Sequence, residues 1–290
     1  MDLLFAPTLQ PTQPAAPSAG CKLFAEVVAG RNIPAARGAT GLPFRLQPGI
    51  FGRTVAIWQP PGNATTVPGT FGMAALSATG TATARNVATT NLFTRQKRLG
   101  YVSSATAGNL AGARVSVAQI TTGITISSVA TGGFFWACTF GCSDGATVAG
   151  ARQFVGVRSS TSAPTNVEPS TLTNSIGIGN GSADSNLRIY YGGSSAQTPI
   201  DLGANFPANT LSIDSYTLYL FCAAGVNNEV GYLVERNNTG HVASGTLTGT
   251  AGTALPSNTT LLTLLQSYRS NNATALAVGL DLFDFYCGLP

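Results

Sequence analysis

Short apolar runs with a period of two recur along most of this chain. In residues 134–140 (FFWACTF) apolar side chains occupy both parities, with Trp136 on one face and Phe135 on the other. A strand with two apolar faces is covered on both sides. We therefore expect residues 134–140 to lie between a second sheet and either a further layer or a partner chain.

From residue 92 onward, strand-like segments follow one another every 10–15 residues, separated by Gly, Asn, Ser and Pro. The candidate strands are Gly100–Ser103, Arg114–Thr121, Gly123–Val129, Gly133–Phe140, Arg152–Arg158, Ser175–Gly179, Leu187–Tyr191, Tyr216–Ala223, Val230–Arg236, Val242–Thr248, Thr259–Tyr268 and Ala275–Tyr286. No long helical period interrupts them, so the pattern predicts an all-β sandwich of the jelly-roll type. In the last segment the apolar parity changes at Phe283, which predicts a β-bulge.

The first part of the chain has a different character. Residues 1–60 are predicted to form an extended arm, rich in proline up to residue 20, and a small anchoring region. The apolar residues near the start, such as Leu3 and Phe5, favour an arm that lies on a partner. Residues 21–29 fit one or two helical turns. Residues 61–91 are rich in Gly, Ala and Thr and are predicted to be a connector, which leaves 92–290 as the head domain.

Charge is scarce and unevenly distributed. Charged residues make up 9% of the chain, against about 25% in an average protein. The net charge is +4, but residues 1–100 contain nine Lys or Arg and two acidic residues, whereas the remainder is acidic. The basic residues are mostly isolated, so the pattern favours docking on an acidic partner over nucleic-acid binding. A surface poor in Lys and Glu is typical of proteins packed in an assembly.

The sequence gives no signature of a metal, a cofactor or a membrane. The five cysteines are widely spaced and the single histidine is His241, so we expect buried, reduced thiols and no metal site. No apolar run reaches the ~20 residues that span a bilayer. Residues 177–181 (GIGNG) are rich in glycine but no predicted helix follows them, which argues against a phosphate site.

Several segments together carry a family resemblance. They are residues 99–108 (LGYVSSATAG), 132–136 (GGFFW), 140–144 (FGCSD), 154–157 (FVGV), 166–172 (NVEPSTL), 175–179 (SIGIG), 201–207 (DLGANFP) and the C-terminal strand. About two thirds of the chain resembles the lectin-like head domain of tail fibre and receptor-binding proteins of tailed bacteriophages. The resemblance implies a concanavalin-like β-sandwich, a homotrimer, and a place in the virion after assembly in the host cytoplasm.

Catalytic arrangements are weakly supported by the residues. Asp281 and Asp284 are the nearest pair of carboxylates in sequence, but strand parity separates their faces unless a bulge intervenes. His241 falls in a predicted turn, where a triad is not expected. What remains is surface recognition of sugars, for which the candidate residues are Asp144, Asn180, Asp184, Asn186, Tyr190 and Tyr191. The competing interpretation is that both tyrosines pack in the sandwich or in a trimer interface.

Three functions are compatible with these observations. The first is a non-enzymatic tail fibre or receptor-binding protein that attaches to a host surface polysaccharide and docks on tail or capsid proteins through residues 1–60. The second is a capsid decoration or head-fibre protein of the same fold. The third is a polysaccharide depolymerase.

Overall fold

The computed structural model describes residues 14–15, 17–38, 43–45, 54–67 and 71–289. Most of the predicted N-terminal arm thus lies outside the described residues. Within the described ranges, no helix has the length and apolar character needed to cross a membrane.

Strands dominate the molecule, and we number them along the chain. The first eleven are β1 (Cys21–Val28), β2 (Arg31–Gly38), β3 (Pro43–Arg45), β4 (Thr54–Trp58), β5 (Ser77–Thr79), β6 (Thr81–Arg85), β7 (Arg98–Val102), β8 (Leu110–Arg114), β9 (Ala118–Ile120), β10 (Ile124–Ile126) and β11 (Val129–Thr131). The others are β12 (Phe134–Cys142), β13 (Arg152–Arg158), β14 (Ser175–Asn180), β15 (Arg188–Gly192), β16 (Ile200–Asp201), β17 (Tyr216–Cys222), β18 (Glu229–Arg236), β19 (His241–Thr248), β20 (Leu262–Thr263), β21 (Gln266–Ser270) and β22 (Gly279–Leu289). One helical turn, α1 (Leu92–Arg95), and one 3₁₀ turn, Pro169–Thr171, complete the elements.

Two antiparallel sheets form a sandwich. The eight-stranded sheet has the order β19-β18-β17-β12-β22-β7-β6, with β4 also paired to β22. The seven-stranded sheet has the order β16-β15-β14-β13-β21-β8-β5. Both sheets combine consecutive strands with strands from distant parts of the sequence, such as β17-β12-β22 and β13-β21-β8, as in a jelly roll. The prediction of an all-β, concanavalin-like sandwich is confirmed.

The main core lies between the two sheets and is organised around β12. Phe134, Trp136, Cys138 and Phe140 are buried there, opposite apolar residues of the seven-stranded sheet such as Val155. The indole Nε1 of Trp136 donates a hydrogen bond to the carbonyl oxygen of Leu264 at 2.6 Å, which satisfies its one polar group. The predicted inward face of residues 134–140 is therefore confirmed.

The outer face of β12 is covered by the chain's own N-terminal hairpin. Strands β1 and β2 pair over their whole length, and Val28 and Ile33 pack on Phe135 and on Leu233 of β18. The helical turns predicted for residues 21–29 are wrong. Ala29 and Gly30 both have positive φ, the geometry of a two-residue hairpin turn, and the apolar face of the hairpin is then buried on the sheet.

Residues of the predicted connector and anchoring region also enter the sandwich. Strand β6 pairs with β7 in the eight-stranded sheet, and β5 pairs with β8 in the other sheet. Strand β4 pairs with the end of β22. Thr and Ala suffice for such edge strands, because outward side chains there need no partner. The bulge predicted near Phe283 is confirmed by a register shift, since Thr139 pairs with Asp284 and Phe140 with Leu282.

Candidate functional site

The connection between β14 and β15 carries a turn that is built on Asp184. The Oδ2 atom of Asp184 accepts hydrogen bonds from the Gly181 amide and from the Tyr190 hydroxyl, each at 2.8 Å. Burial, and then the bond to Asp184, raises the pKa of the Tyr190 phenol, so it remains a proton donor at neutral pH. Asp184 thereby fixes the turn to the strand that follows it.

Arg188 connects this turn to the edge of the sheet. Its guanidinium lies 2.9 Å from Oδ1 of Asp184 and 3.2 Å from Oδ2 of Asp201. The other oxygen of Asp201 accepts hydrogen bonds from the Gly203 amide at 2.7 Å and from Asn186 at 3.2 Å. The Gly203 bond, with smaller contributions from Asn186 and Arg188, lowers the pKa of Asp201, so the carboxylate stays ionised.

A second ion pair lies on the other side of the turn. Glu168, directly before the 3₁₀ turn, contacts Arg152 at 2.9 Å and accepts hydrogen bonds from the backbone and hydroxyl of Ser182. A Cβ atom on Gly181 would lie 2.8 Å from Glu168 and 3.0 Å from Asp184. The two carboxylates therefore converge on a position that only glycine leaves open.

We call this group the β14–β15 cluster, and it consists of Arg152, Glu168, Gly181, Ser182, Asp184, Asn186, Arg188 and Asp201. Its charged side chains are partly exposed, up to 42% for Asp201. Three carboxylates and two guanidiniums place acceptors and donors side by side at one end of the seven-stranded sheet. Such an arrangement is suited to hydrogen-bonding a polyhydroxylated ligand.

Of the six predicted recognition residues, Asp184 and Asn186 belong to this cluster, and the Tyr190 hydroxyl donates a hydrogen bond to Asp184. The Tyr190 ring packs beneath it with Phe154 and Tyr268, on the outer face of the seven-stranded sheet. Tyr191 has the opposite parity and packs, half-buried, against the main core. The Tyr190 ring thus packs on the outside of the sandwich and the Tyr191 ring against its core, and a role in ligand binding stays a prediction for both.

Asn180 directly precedes Gly181 of the cluster in sequence, but its side chain points into the protein. It is buried, and its amide nitrogen donates to the carbonyl oxygens of Ala151 and Gly181 at 2.7 and 3.0 Å. Its Oδ1 has no hydrogen-bond partner among the described residues. These two bonds hold the end of β14. A role of Asn180 in ligand binding stays a prediction.

Asp144 lies in the interior and not at an exposed loop tip. It accepts hydrogen bonds from Nε and Nη2 of Arg269 at 2.8 and 2.6 Å, and from the Gly279 amide at 2.8 Å. Asn209 donates to it at 3.2 Å and in turn accepts from the Cys142 thiol, whose pKa burial raises to about 12. Ligand binding by Asp144 stays a prediction, and its carboxylate would have to leave these four donors to take part.

The other candidate chemistry is also accounted for by local contacts. Asp281 is buried between Arg98 at 3.0 Å and Arg85 at 3.2 Å. His241 is exposed, and its Nδ1 atom hydrogen-bonds Thr239 in the β18–β19 turn at 2.7 Å. Among the described residues, no group of three or more His, Cys, Asp or Glu is placed to hold a metal ion.

Sequence reasoning missed Arg152, Glu168, Arg188 and Asp201. Strand parity could have found Arg188, because it lies two residues before Tyr190 and so shares its face. Glu168 and Arg152 meet across a long loop, and no local pattern marks that pairing.

Comparisons with known proteins bear on the fold. No protein-family model matches the chain, and no curated protein matches it in sequence. Lectin II from Ulex europaeus matches in structure with 10% sequence identity and a TM-score of 0.51, over 82% of this chain and 99% of the lectin. A complex of lectin UEA-II with galactose matches with 11% identity, a TM-score of 0.51 and the same coverage. Arcelin-5, a lectin-like defense protein from Phaseolus vulgaris, matches with 11% identity, a TM-score of 0.50 and the same coverage. At this identity the likeness establishes a shared lectin-like sandwich.

Proposed function

We propose that this protein is a non-enzymatic carbohydrate-binding protein of a bacteriophage virion, a tail fibre or receptor-binding protein that attaches to a host surface polysaccharide. The observation that carries the proposal is the partly exposed β14–β15 cluster on a lectin-like sandwich. The galactose complex of a structurally similar lectin supports a sugar as the ligand class. The resemblance of about two thirds of the chain to phage fibre heads supports the virion and the homotrimer.

The geometry of the cluster favours binding over cleavage. Glu168 and Asp184 are each held by an arginine and by backbone or hydroxyl donors. The oxygens of both carboxylates are thus already engaged by protein donors, and neither could act on a glycosidic oxygen without leaving them. The same fixed oxygens can accept hydrogen bonds from sugar hydroxyls without being reorganised, which reduces the entropic cost of binding.

Binding of purified host surface polysaccharide, measured by biolayer interferometry, tests the proposal. Asn186→Ala and Asp201→Ala remove partly exposed acceptors, and each is expected to weaken affinity about tenfold or more, since hydrogen bonds to charged groups contribute roughly 1.5–3 kcal/mol. Glu229→Ala, which removes an exposed carboxylate at the start of β18, is the matched control and should bind like the parent. Equal affinity for all four proteins would overturn the assignment of the site.

Two further readouts test the rest of the proposal. Release of oligosaccharide from the polysaccharide would identify a depolymerase instead. Labelling of capsid lattice positions, and not of the tail, in a cryo-EM map of the particle would identify a capsid decoration protein.

A further inference from the structure

The segment between β16 and β17 connects the β14–β15 cluster to helix α1 across one end of the sandwich. It begins after Asp201 of the cluster, and the Leu187 amide donates a hydrogen bond to its Phe206 carbonyl oxygen at 2.7 Å. Further along, the Ser212 amide donates to the carbonyl oxygen of Cys142, the last residue of β12, at 2.9 Å. The cluster and α1 therefore lie at the same end of the molecule.

A tight turn in this segment holds two aliphatic side chains in solvent. Its ends are joined by a hydrogen bond of 3.1 Å from the Ile213 amide to the Thr210 carbonyl oxygen. Between them, Leu211 and Ser212 have positive φ angles of 49° and 64°. This is a type I′ turn, which favours Asn, Asp and Gly and not leucine. Leu211 and Ile213 are nevertheless 39% and 54% exposed, which makes the turn a candidate for contact with a partner.

Helix α1 brings a third aliphatic side chain and a cation beside this turn. The side-chain amide of Asn91, its N-cap, donates to the Ser212 carbonyl oxygen at 3.0 Å. Leu92 directly follows Asn91 and is also half-exposed. Arg95 is exposed and lies three residues after Leu92, so both occupy one face of the helical turn. We call this group the α1 patch, and it consists of Leu92, Arg95, Leu211 and Ile213.

The exposed charges on and beside the α1 patch have one sign. Arg95 and Lys97 are exposed, and neither forms an ion pair with a carboxylate of the described residues. Asp214, the carboxylate that follows the turn, is buried and paired with Arg236 at 2.7 Å. Aliphatic side chains beside uncompensated cations are complementary to a surface that is anionic outside and apolar beneath.

We propose that the α1 patch docks on the surface of an anionic phospholipid bilayer, with its aliphatic side chains inserted and Arg95 at the headgroups. Three partly exposed aliphatic side chains are too few for a stable protein interface, which brings about 20–30 residues from each side. Burial of such side chains at the acyl boundary, together with attraction to anionic headgroups, is how proteins lie on a bilayer without spanning it. The contact needs no sugar, so it does not depend on the glycan site.

Co-sedimentation of the full chain with lipid vesicles tests the proposal. The parent should bind vesicles of phosphatidylcholine with about 30% phosphatidylglycerol, and should bind phosphatidylcholine alone about fivefold more weakly or less. Leu211→Asn with Ile213→Ser removes two inserted side chains, and asparagine suits the left-handed turn, so binding should fall about tenfold while the fold is kept. Arg95→Gln should weaken binding to the anionic vesicles about fivefold.

Ile126→Ser with Val129→Ser is the matched control. It removes two exposed aliphatic side chains from the β10–β11 hairpin, which lies just before the other end of β12, and should bind vesicles like the parent. Thermal unfolding should be alike in the two double variants. The proposal fails if the parent does not bind the anionic vesicles, or if both double variants bind them equally.

Light scattering identifies the competing occupant, a second copy of the chain. If Leu211→Asn with Ile213→Ser lowers the mass of the particle in solution, the patch is a contact between copies and the bilayer proposal is wrong. Because the vesicles carry no polysaccharide, loss of glycan binding and loss of vesicle binding are separate outcomes.

Discussion

Two ion pairs in this molecule have the same chemistry and opposite surroundings. Asp144 and Arg269 are almost fully buried, with 0% and 1% of their side chains exposed, and they join the two sheets. Arg188 and Asp201 are 31% and 42% exposed at the end of one sheet. The buried pair has its donors and acceptors occupied by protein groups, whereas the exposed pair keeps oxygens accessible. The difference makes the first pair part of the fold's interior and leaves the second available for the proposed recognition.

Among polar substitutions, we expect the largest loss of stability when the buried pair of Asp144 and Arg269 is broken. Asp144→Ala leaves the Arg269 guanidinium buried without a carboxylate, which is expected to cost about 3–5 kcal/mol of the free energy of unfolding. The double variant Asp144→Ala with Arg269→Met removes the stranded charge and should be more stable than Asp144→Ala. Guanidinium chloride unfolding measures both. Equal stability of the two variants would show that the unpaired Arg269 charge is not what destabilises Asp144→Ala.

Features that depend on residues close in sequence could be predicted, and those that depend on distant residues could not. The alternation in residues 134–140 is a local pattern, and it correctly gave a strand with two buried faces. The layer over its outer face could not be identified, because the hairpin that covers it lies about a hundred residues away and its turn has an alanine at positive φ. Asp144 lies in a loop, as predicted, but its burial could not be foreseen because its partner Arg269 lies 125 residues further along the chain.

The candidate site could be predicted only in part, because some of its residues are far apart in the sequence. Asp184 and Asn186 lie in one strand connection and Tyr190 in the strand that follows it, so a local pattern suffices to group them. Asp201 and Glu168 reach the same place from other connections. Tertiary pairing, and not propensity, decides which polar residues share a surface.

A smaller effect on stability is expected within the β14–β15 cluster. Gly181→Ala brings a methyl group to 2.8 Å from Glu168 and 3.0 Å from Asp184, so both carboxylates must shift. Because both are ends of flexible, partly exposed side chains, the cost in stability should stay below about 1 kcal/mol. Affinity for the polysaccharide should fall, since the fixed acceptors are displaced.

Gly145→Ala is the matched control for this substitution, because a methyl group there meets no atom within 4 Å. Calorimetry of both variants, with and without polysaccharide, separates stability from binding. If Gly181→Ala binds like Gly145→Ala, the cluster does not form the binding surface.

Changes of pH within the neutral range should have the smallest effect on polysaccharide affinity. The lowered pKa of Asp201 means that its contribution to stability is fully present above the ordinary carboxyl range near pH 4 and is lost as pH falls through the lower folded value. The pKa of Tyr190 is raised, so its hydroxyl stays protonated well above neutrality. Polysaccharide affinity should therefore be nearly constant between about pH 5 and 9 and should decrease only below about pH 4. A change in affinity within that range would contradict the assignment of the binding surface to this cluster.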